Sequence, residues 1–338
     1  MADAGLLAQA TRGPFVESSH LGHAVIARAD GSIVESWGNP DELVFARSSA
    51  KMVQALPLVE SGAGAGLTAE QLALACASHG GERVHLSRVN RWLDDLGLDD
   101  HALCCGPQAS SDPDFANHMI RQGTDLPRAL NECSGKHAGF LTLNQHLGGG
   151  AGYVDPDHPV QRAVREAFED VTGRDSPGFG IDGCCAPTFA TALRGVARAM
   201  AVYASADGKS DARSKAAVAL RDAMIAYPDM VAGTGRNCTL LMRAASEPVA
   251  VTYGAEGFFA AMLPRQNLGI ALKVSDGAMR GAAAAIAALL VRLGALDPGH
   301  PVVAGFLERP VKNRDGLVTG VGGQRRAWRA RNPGSDEI

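Results

Sequence analysis

The stretch EPVAVTYGAEGFFAAMLPRQNLGIALKVSDG, residues 247–277, decides how the rest of the chain is read. Its apolar runs are short, rich in β-branched and aromatic residues, and interrupted at Pro264–Asn267 by a turn-forming cluster. It reads as two or three strands. An alanine-rich helix over roughly 277–294 follows. The tail from 295 onward, with Pro and Gly every few residues, reads as irregular or weakly stranded. The matching signal stands at the other end of the chain. HAVIARADGSIVESWGN, residues 23–39, carries two β-branched runs around Asp30-Gly31, a favoured hairpin turn. Between these ends, from 69 to about 230, the patterns are mostly helical. Val89, Trp92, Leu93 and Leu96 fall at i, i+3, i+4, i+7, and HPVQRAVREAFEDVTG (158–173) has Pro just inside its start and Gly after its end. Strands at both ends with helices between them predict an α+β fold. One mostly antiparallel sheet is built from the N- and C-terminal strands, the last helix covers one face, and a helical insertion packs beside it. The active-site cleft is expected where sheet and helical block meet.

Composition narrows the function classes. The chain has 338 residues, 46% hydrophobic and 20% charged, with a net charge of −4, which suits a soluble protein with a sizeable core and no nucleic-acid-binding face. The most apolar run, AAAAIAALLVRLGA at 282–295, is too short to span a bilayer and contains Arg292. The first twenty residues lack an export pattern, so the chain reads as cytoplasmic, with no membrane partner. Seven cysteines, an odd number that includes two adjacent pairs, argue for free thiols rather than a disulfide framework.

Three short constellations carry chemistry. In ARSSAKMVQALPLVESG (46–62), Ser48 precedes Lys51 by three residues, a helical spacing that puts hydroxyl and amine on one face. A serine becomes a nucleophile only when a base takes its proton, and lysine serves as that base only if burial or a nearby cation such as Arg47 lowers its pKa. The plain alternative is an N-cap serine followed by a solvated lysine. Pro57 is expected to kink or end the helix. In CASHGGERVH (76–85), Ser78 offers a second hydroxyl, His79 a group to orient a carboxylate, and Gly80-Gly81 a close backbone approach to a ligand; a capping serine in a glycine turn is the alternative. In NECSGKHAGF (131–140) and GIDGCCAP (180–187), Cys133, Lys136, Asp182 and Cys184 sit in two separate segments from which one thiolate each could hold a zinc. Inert buried cysteines are the alternative there.

Together, and in order, RSSAKMVQALPLVESGA, CASHGGERVH, NECSGKHAGFL, YVDPDHPVQ (153–161), GIDGCCAP and YPDMVAGTGRNCTLLM (227–242) resemble the rhizobial-type (class 3) L-asparaginase II family, from about residue 12 to 320. The resemblance implies hydrolysis of L-asparagine to L-aspartate and ammonia, a serine β-lactamase-like fold shared with serine-dependent glutaminases, and a homodimer. It implies one catalytic domain of two lobes: a sheet lobe from about 12–45 and 240–320, and a helical lobe from about 46–239. Ser48 and Lys51 match the family's first serine–lysine pair, and Ser78 its second serine. Cys133, Lys136 and Cys184 match the ligands of a zinc site, with Asp182 contacting the metal-bound water. Arg47, His79, Lys136 and Asp182 are expected to meet substrate.

One departure stands out. The family carries a lysine two residues before the GAEG-like stretch, where VTYGAEG has Thr252. Lys273 is the only lysine near it in sequence. The expected mechanism is acyl transfer: Ser48 attacks the side-chain amide, Lys51 takes the hydroxyl proton, and Thr252 impairs the second pair. The other readings are a related serine amidohydrolase acting on glutamine or a β-lactam-like amide, and an inactive homologue that keeps the zinc and amino-acid sites.

Overall fold

The computed structural model describes residues 3–323. Eleven strands are found there: β1 (Gly5–Arg12), β2 (Phe15–Ala27), β3 (Ile33–Trp37), β4 (Leu43–Phe45), β5 (Phe179–Ile181), β6 (Pro187–Ala192), β7 (Ala250–Gly254), β8 (Phe258–Leu263), β9 (Leu268–Val274), β10 (Glu308–Lys312) and β11 (Val318–Gly323). The main sheet runs β10-β11-β1-β2-β9-β8-β7, with β3 also paired to β2, and every pairing is antiparallel. A small sheet, β4-β6-β5, lies apart from it.

The expected hairpin forms at Asp30-Gly31, where the Asp30 carboxylate accepts from the Ser32 backbone N–H at 2.9 Å and closes the turn. The Pro264–Asn267 cluster forms a 3-10 turn that ends on Asn267 in the left-handed region (φ 55°). The tail departs from expectation. Its weak strands do form, as the β10–β11 hairpin that pairs with β1, but a helix, Pro301–Leu307, stands where irregular chain was expected. Pro301 stands in the helix's first turn, where its missing N–H costs nothing.

Side chains alternate along β8 and serve two cores. Phe258, Ala260 and Met262 belong to one cluster; Phe259, Ala261 and Leu263 belong to the other. Burial on both faces explains why these strands read as continuous apolar runs. The first cluster joins the sheet to the helical block, through Leu193, Val196, Ala197 and Met200 of the helix Leu193–Ala204. The second is capped by the alanine-rich helix Met279–Arg292. Gly269 fixes the first contact: a Cβ there would lie 2.1 Å from the Ala197 carbonyl, so only glycine lets helix and strand touch backbone to backbone. Among the described residues no helix is long and apolar enough to cross a membrane.

Candidate active site

Ser48 lies in one 3-10 turn, Arg47–Ala50, which continues into the helices Lys51–Gln54 and Leu56–Glu60. Pro57 sits in the first turn of the second helix and restarts it. Neither half of the plain alternative survives. The Ser48 hydroxyl makes no capping bond, and Lys51 is 1% exposed. The turn rests against β7: the Ser49 hydroxyl donates to the Thr252 carbonyl at 3.4 Å, and a Cβ on Gly254 would come within 2.4 Å of the Ala46 carbonyl. Arg47 adopts the left-handed region (φ 51°) to make this approach, a conformation few non-glycine residues take up. Its guanidinium donates twice to Asp182 Oδ1, at 2.7 and 3.1 Å.

Ser78 follows the helix Ala69–Ala75 in an extended segment held from both sides. Its N–H donates to the Val231 carbonyl at 2.9 Å, and the His79 N–H donates to the Glu132 carbonyl at 3.2 Å. The Ser78 and Ser48 hydroxyls lie 3.2 Å apart. Ser78 Oγ also lies 3.2 Å from Glu132 Oε2, which receives the Tyr253 hydroxyl at 3.3 Å. Arg236 Nη2 donates to the Tyr253 oxygen at 2.5 Å. Burial, then the nearby Glu132 charge, pushes Tyr253 up to about 12, so it remains a donor. A continuous line of polar contacts thus runs Ser48–Ser78–Glu132–Tyr253–Arg236.

Lys51 meets this line from beneath. Its amine donates to the Ala77 carbonyl at 2.6 Å and the Glu132 carbonyl at 3.3 Å. The expected hydrogen bond between Lys51 and Ser48 is not among those formed by the described residues. The reason is local competition: two backbone carbonyls, that of Ala77 and that of Glu132, which also receives the His79 N–H, surround the amine, and a buried amine is drawn to them. Lys51 therefore ties the Ser78 segment to the Glu132 loop.

His79 is placed differently from the expectation that it orients a substrate carboxylate. Its Nδ1 accepts from the Gly81 N–H at 3.1 Å, so Nε2 carries the proton and donates to Ser134 Oγ at 3.0 Å. The ring stacks on His85 at 4.6 Å, and burial pushes both imidazoles toward the neutral form. Its polar atoms are spent inside the protein. Gly80 and Gly81 likewise admit protein rather than ligand, since Cβ atoms there would meet Ser111 Oγ at 2.4 Å and the Leu130 carbonyl at 2.5 Å.

Cys133 directly follows Glu132 and precedes the helix Ser134–His146. Gly135, in that helix's first turn, passes so close to the Leu74 carbonyl that a Cβ would lie 2.3 Å from it. The contact brings Cys133 and Lys136 toward the Ser78 segment. Cys184 arrives in the tight turn between β5 and β6, where Asp182 N–H donates to the Ala186 carbonyl. Lys136 Nζ lies 3.0 Å from Cys184 Sγ. The Cys133 thiol, hydrogen-bonded to Cys184, holds Cys184 far below the usual thiol range, and Cys133 is itself pushed up. All three side chains are buried. Beside them His137 keeps Nδ1 on the Tyr153 hydroxyl (2.8 Å), while its buried Nε2 has no partner.

Among the described residues no group of three or more His, Cys, Asp or Glu gathers for a metal. The donor set that does converge is two thiols and an amine with an orphaned imidazole nitrogen alongside, which suits a soft, borderline cation. All seven cysteines are free, as the composition predicted. Thr252 is buried in β7 and its hydroxyl takes part in no hydrogen bond among the described residues. Lys273 does not compensate: it donates to the carbonyls of Glu256 and Val274.

Glu132, Tyr253 and Arg236 are the site residues that motif reading passed over. Each lies inside a quoted motif, but nothing local distinguishes it. Only the pairing of four distant segments makes them neighbours.

Comparison with solved structures finds distant similarities. Mglu, crystallised in a tris and glutamate form, is 11% identical with a TM-score of 0.44; the match covers 81% of this chain and 59% of Mglu, so the chain spans less than two thirds of it. A beta-lactamase from Mycobacterium bovis is 12% identical at a TM-score of 0.33, over 80% of this chain and 94% of that one. An octameric penicillin-binding protein homologue from Pyrococcus abyssi is 12% identical at 0.35, over 82% and 74%. No curated protein matches the chain. The family description for L-asparaginase II, by contrast, matches residues 8–322, nearly the whole of the described chain, and the protein belongs to that family.

Proposed function

We propose that the protein is an L-asparagine amidohydrolase that releases L-aspartate and ammonia by acyl transfer to Ser48, acting in the cytoplasm as a homodimer. The observation that carries this reading is the contact of two buried hydroxyls, Ser48 and Ser78, at 3.2 Å. Family membership supports an amide as the bond cleaved. Ser48 would form the bond to the amide carbon, with backbone N–H groups near it as the donors to the developing oxyanion. Arg47 is neutralised by Asp182, which leaves Arg236, in no ion pair among the described residues, as the cation for the substrate α-carboxylate.

The test is ammonia release from L-asparagine and L-glutamine, and hydrolysis of a chromogenic β-lactam. Turnover of asparagine at least tenfold above the others is expected. A rate no higher than for the other two would end the asparagine assignment. Thr252 motivates a second reading, an amino-acid-binding homologue of low activity, because among the described residues no amine bonds to the Ser78 hydroxyl. Tight asparagine binding by calorimetry without ammonia release, with turnover restored in Thr252→Lys, would favour that reading.

Zinc belongs to the same proposal. Cys133, Lys136 and Cys184 would hold it, and when bound it supplies a Lewis-acidic centre that locks the Asp182 turn and the Lys136 helix together. Elemental analysis of protein purified with zinc is expected to give one ion per chain, and less than about a tenth of that in Cys184→Ala, since a structural site loses most of its affinity with one thiolate. Equal zinc in both proteins would remove the metal from the proposal.

A further inference from the structure

We propose that the protein has a second ligand site, which binds a small amphiphilic carboxylate between the main sheet and the helices Met279–Arg292 and Pro301–Leu307. A cavity of about 760 Å³ lies there, a volume in the range that holds a small molecule. Its apolar wall is made of Ala8 and Ala10 from β1, Ala283 and Ala284 from the alanine-rich helix, and Val302 and Phe306 from the helix Pro301–Leu307. Protein interiors are normally packed to the density of organic crystals. Here the alanines, with Gly322 of β11, are too small to close the gap. A Cβ on Gly322 would meet nothing nearer than the Ala10 Cβ at 3.8 Å, so packing does not demand glycine at that position.

The polar part of the lining is cationic. Arg280 and Arg309 belong to it with His20 and Asn237, and among the described residues no acidic side chain does. Arg280 is held in place. Its Nε donates to His20 Nε2 at 3.0 Å, and the Nδ1–H of that buried imidazole donates to Asp276 Oδ2 at 2.7 Å. A guanidinium only donates, which fixes this order. Gly281 permits the approach, since a Cβ there would lie 2.7 Å from the His20 ring. With Nε engaged, both Arg280 Nη atoms are without an acceptor among the described residues, as is the whole Arg309 guanidinium. The carboxylates that feel the Arg280 charge, Glu17 and Asp276, are committed to Arg12 and His20.

The terminal nitrogens of a guanidinium form a fork that matches the two oxygens of one carboxylate. The fork sets the head of the ligand, and the apolar wall sets a hydrocarbon body. Asparagine, small and polar throughout, fits the second requirement poorly. The chain's own continuation carries the wrong sign: residues 324–338 follow the lining residue Gly323 and hold Arg325, Arg326, Arg329 and Arg331 against Asp336 and Glu337. Neither Ser48 nor Ser78 lines the cavity, although Gly235 and Asn237, which do, flank Arg236 in the chain. The site is therefore separate from the serine pair, and it stands whether or not the acyl-transfer reading does.

The test is calorimetry on the full-length protein with octanoate, octanamide and acetate as probes. Octanoate is expected to bind saturably and about tenfold tighter than octanamide, the difference between a charge-assisted pair and a neutral one. Acetate, which lacks the body, is expected to bind more weakly than either. Arg280→Gln is expected to remove most of the preference for octanoate, and Arg309→Gln to reduce it without touching the His20 contact. Gly322→Leu is expected to abolish binding of both eight-carbon probes by filling the cavity. Its stability should be no lower than wild type, because glycine weakens a strand interior. Circular dichroism checks that each variant is folded. Octanoate binding that persists in Gly322→Leu would overturn the proposal, as would equal binding of octanoate and octanamide to wild type. Displacement of octanoate by asparagine would move it to the serine pair and overturn the second site. Absence of saturable octanoate binding to wild type would overturn it too, and sedimentation and limited proteolysis would then show whether a second copy or residues 324–338 cover the cavity.

Discussion

Replacing Ser48 with alanine is expected to lower ammonia release from L-asparagine by about 10⁵–10⁶-fold, the scale seen when a serine nucleophile is removed from a working acyl-transfer site. The substitution should leave the fold alone. Ser48 is buried, but among the described residues its hydroxyl bonds only to Ser78, and its 3-10 turn is held by the Ser49 hydroxyl and by the fit of Gly254 against Ala46. Stability within about 1 kcal/mol of wild type is therefore expected. A steady-state assay paired with denaturant unfolding checks both halves. If Ser48→Ala retained even a hundredth of the wild-type rate, the nucleophile would have to be sought elsewhere, with Ser78 first in line.

Lys51→Met has the second largest expected effect, and it differs in kind. Methionine matches the lysine stem in length but takes the amine from the carbonyls of Ala77 and Glu132, of which Glu132 keeps the His79 N–H. A stranded buried polar group costs about 1–3 kcal/mol, so a stability loss of about 1–3 kcal/mol is expected, chiefly from the Ala77 carbonyl. Activity is expected to fall about 10²–10⁴-fold, because the segments bearing Ser78 and Glu132 lose their common anchor. Ser48→Ala therefore lowers rate without stability, whereas Lys51→Met lowers both. Unfolding curves for Lys51→Met that overlay wild type would show that the amine is not the anchor described above.

The outline of the fold was legible because both end regions announce themselves by local chemistry. Asp30-Gly31 and Pro264–Asn267 are turn-formers whose backbone demands are written in single residues, and the flanking strands are apolar on both faces. The tail was read in part: its helix was missed because Pro301 looks like a breaker when it is a helix starter, and its strands gave only a weak signal because β11, VTGVGG, owes its strand to pairing with β1 rather than to β-branched density. The three-residue strands β4 and β5 are too short to carry a periodic signal at all.

The site divides the same way. Ser48 and Ser78 could be located by spacing and by resemblance, and the structure places their hydroxyls together. Which partner each polar atom chooses could not be read. Lys51 meets carbonyls from positions 77 and 132, and Arg47 meets Asp182, 135 residues away. Such choices are settled by the geometry of distant loops, where a difference of one ångström decides which acceptor wins.

Phe258 and Phe259 are neighbours in the chain, yet they look into opposite layers of the molecule. The sheet is thus a party wall rather than the boundary of two rooms that can be emptied in turn. Heat or denaturant that loosens the layer under the alanine-rich helix must pull on the same ladder that supports the helices behind the Ser48 turn. Melting is accordingly a shared event, and damage done far from Ser48, on the opposite side of the wall, reaches it through the backbone of a single strand.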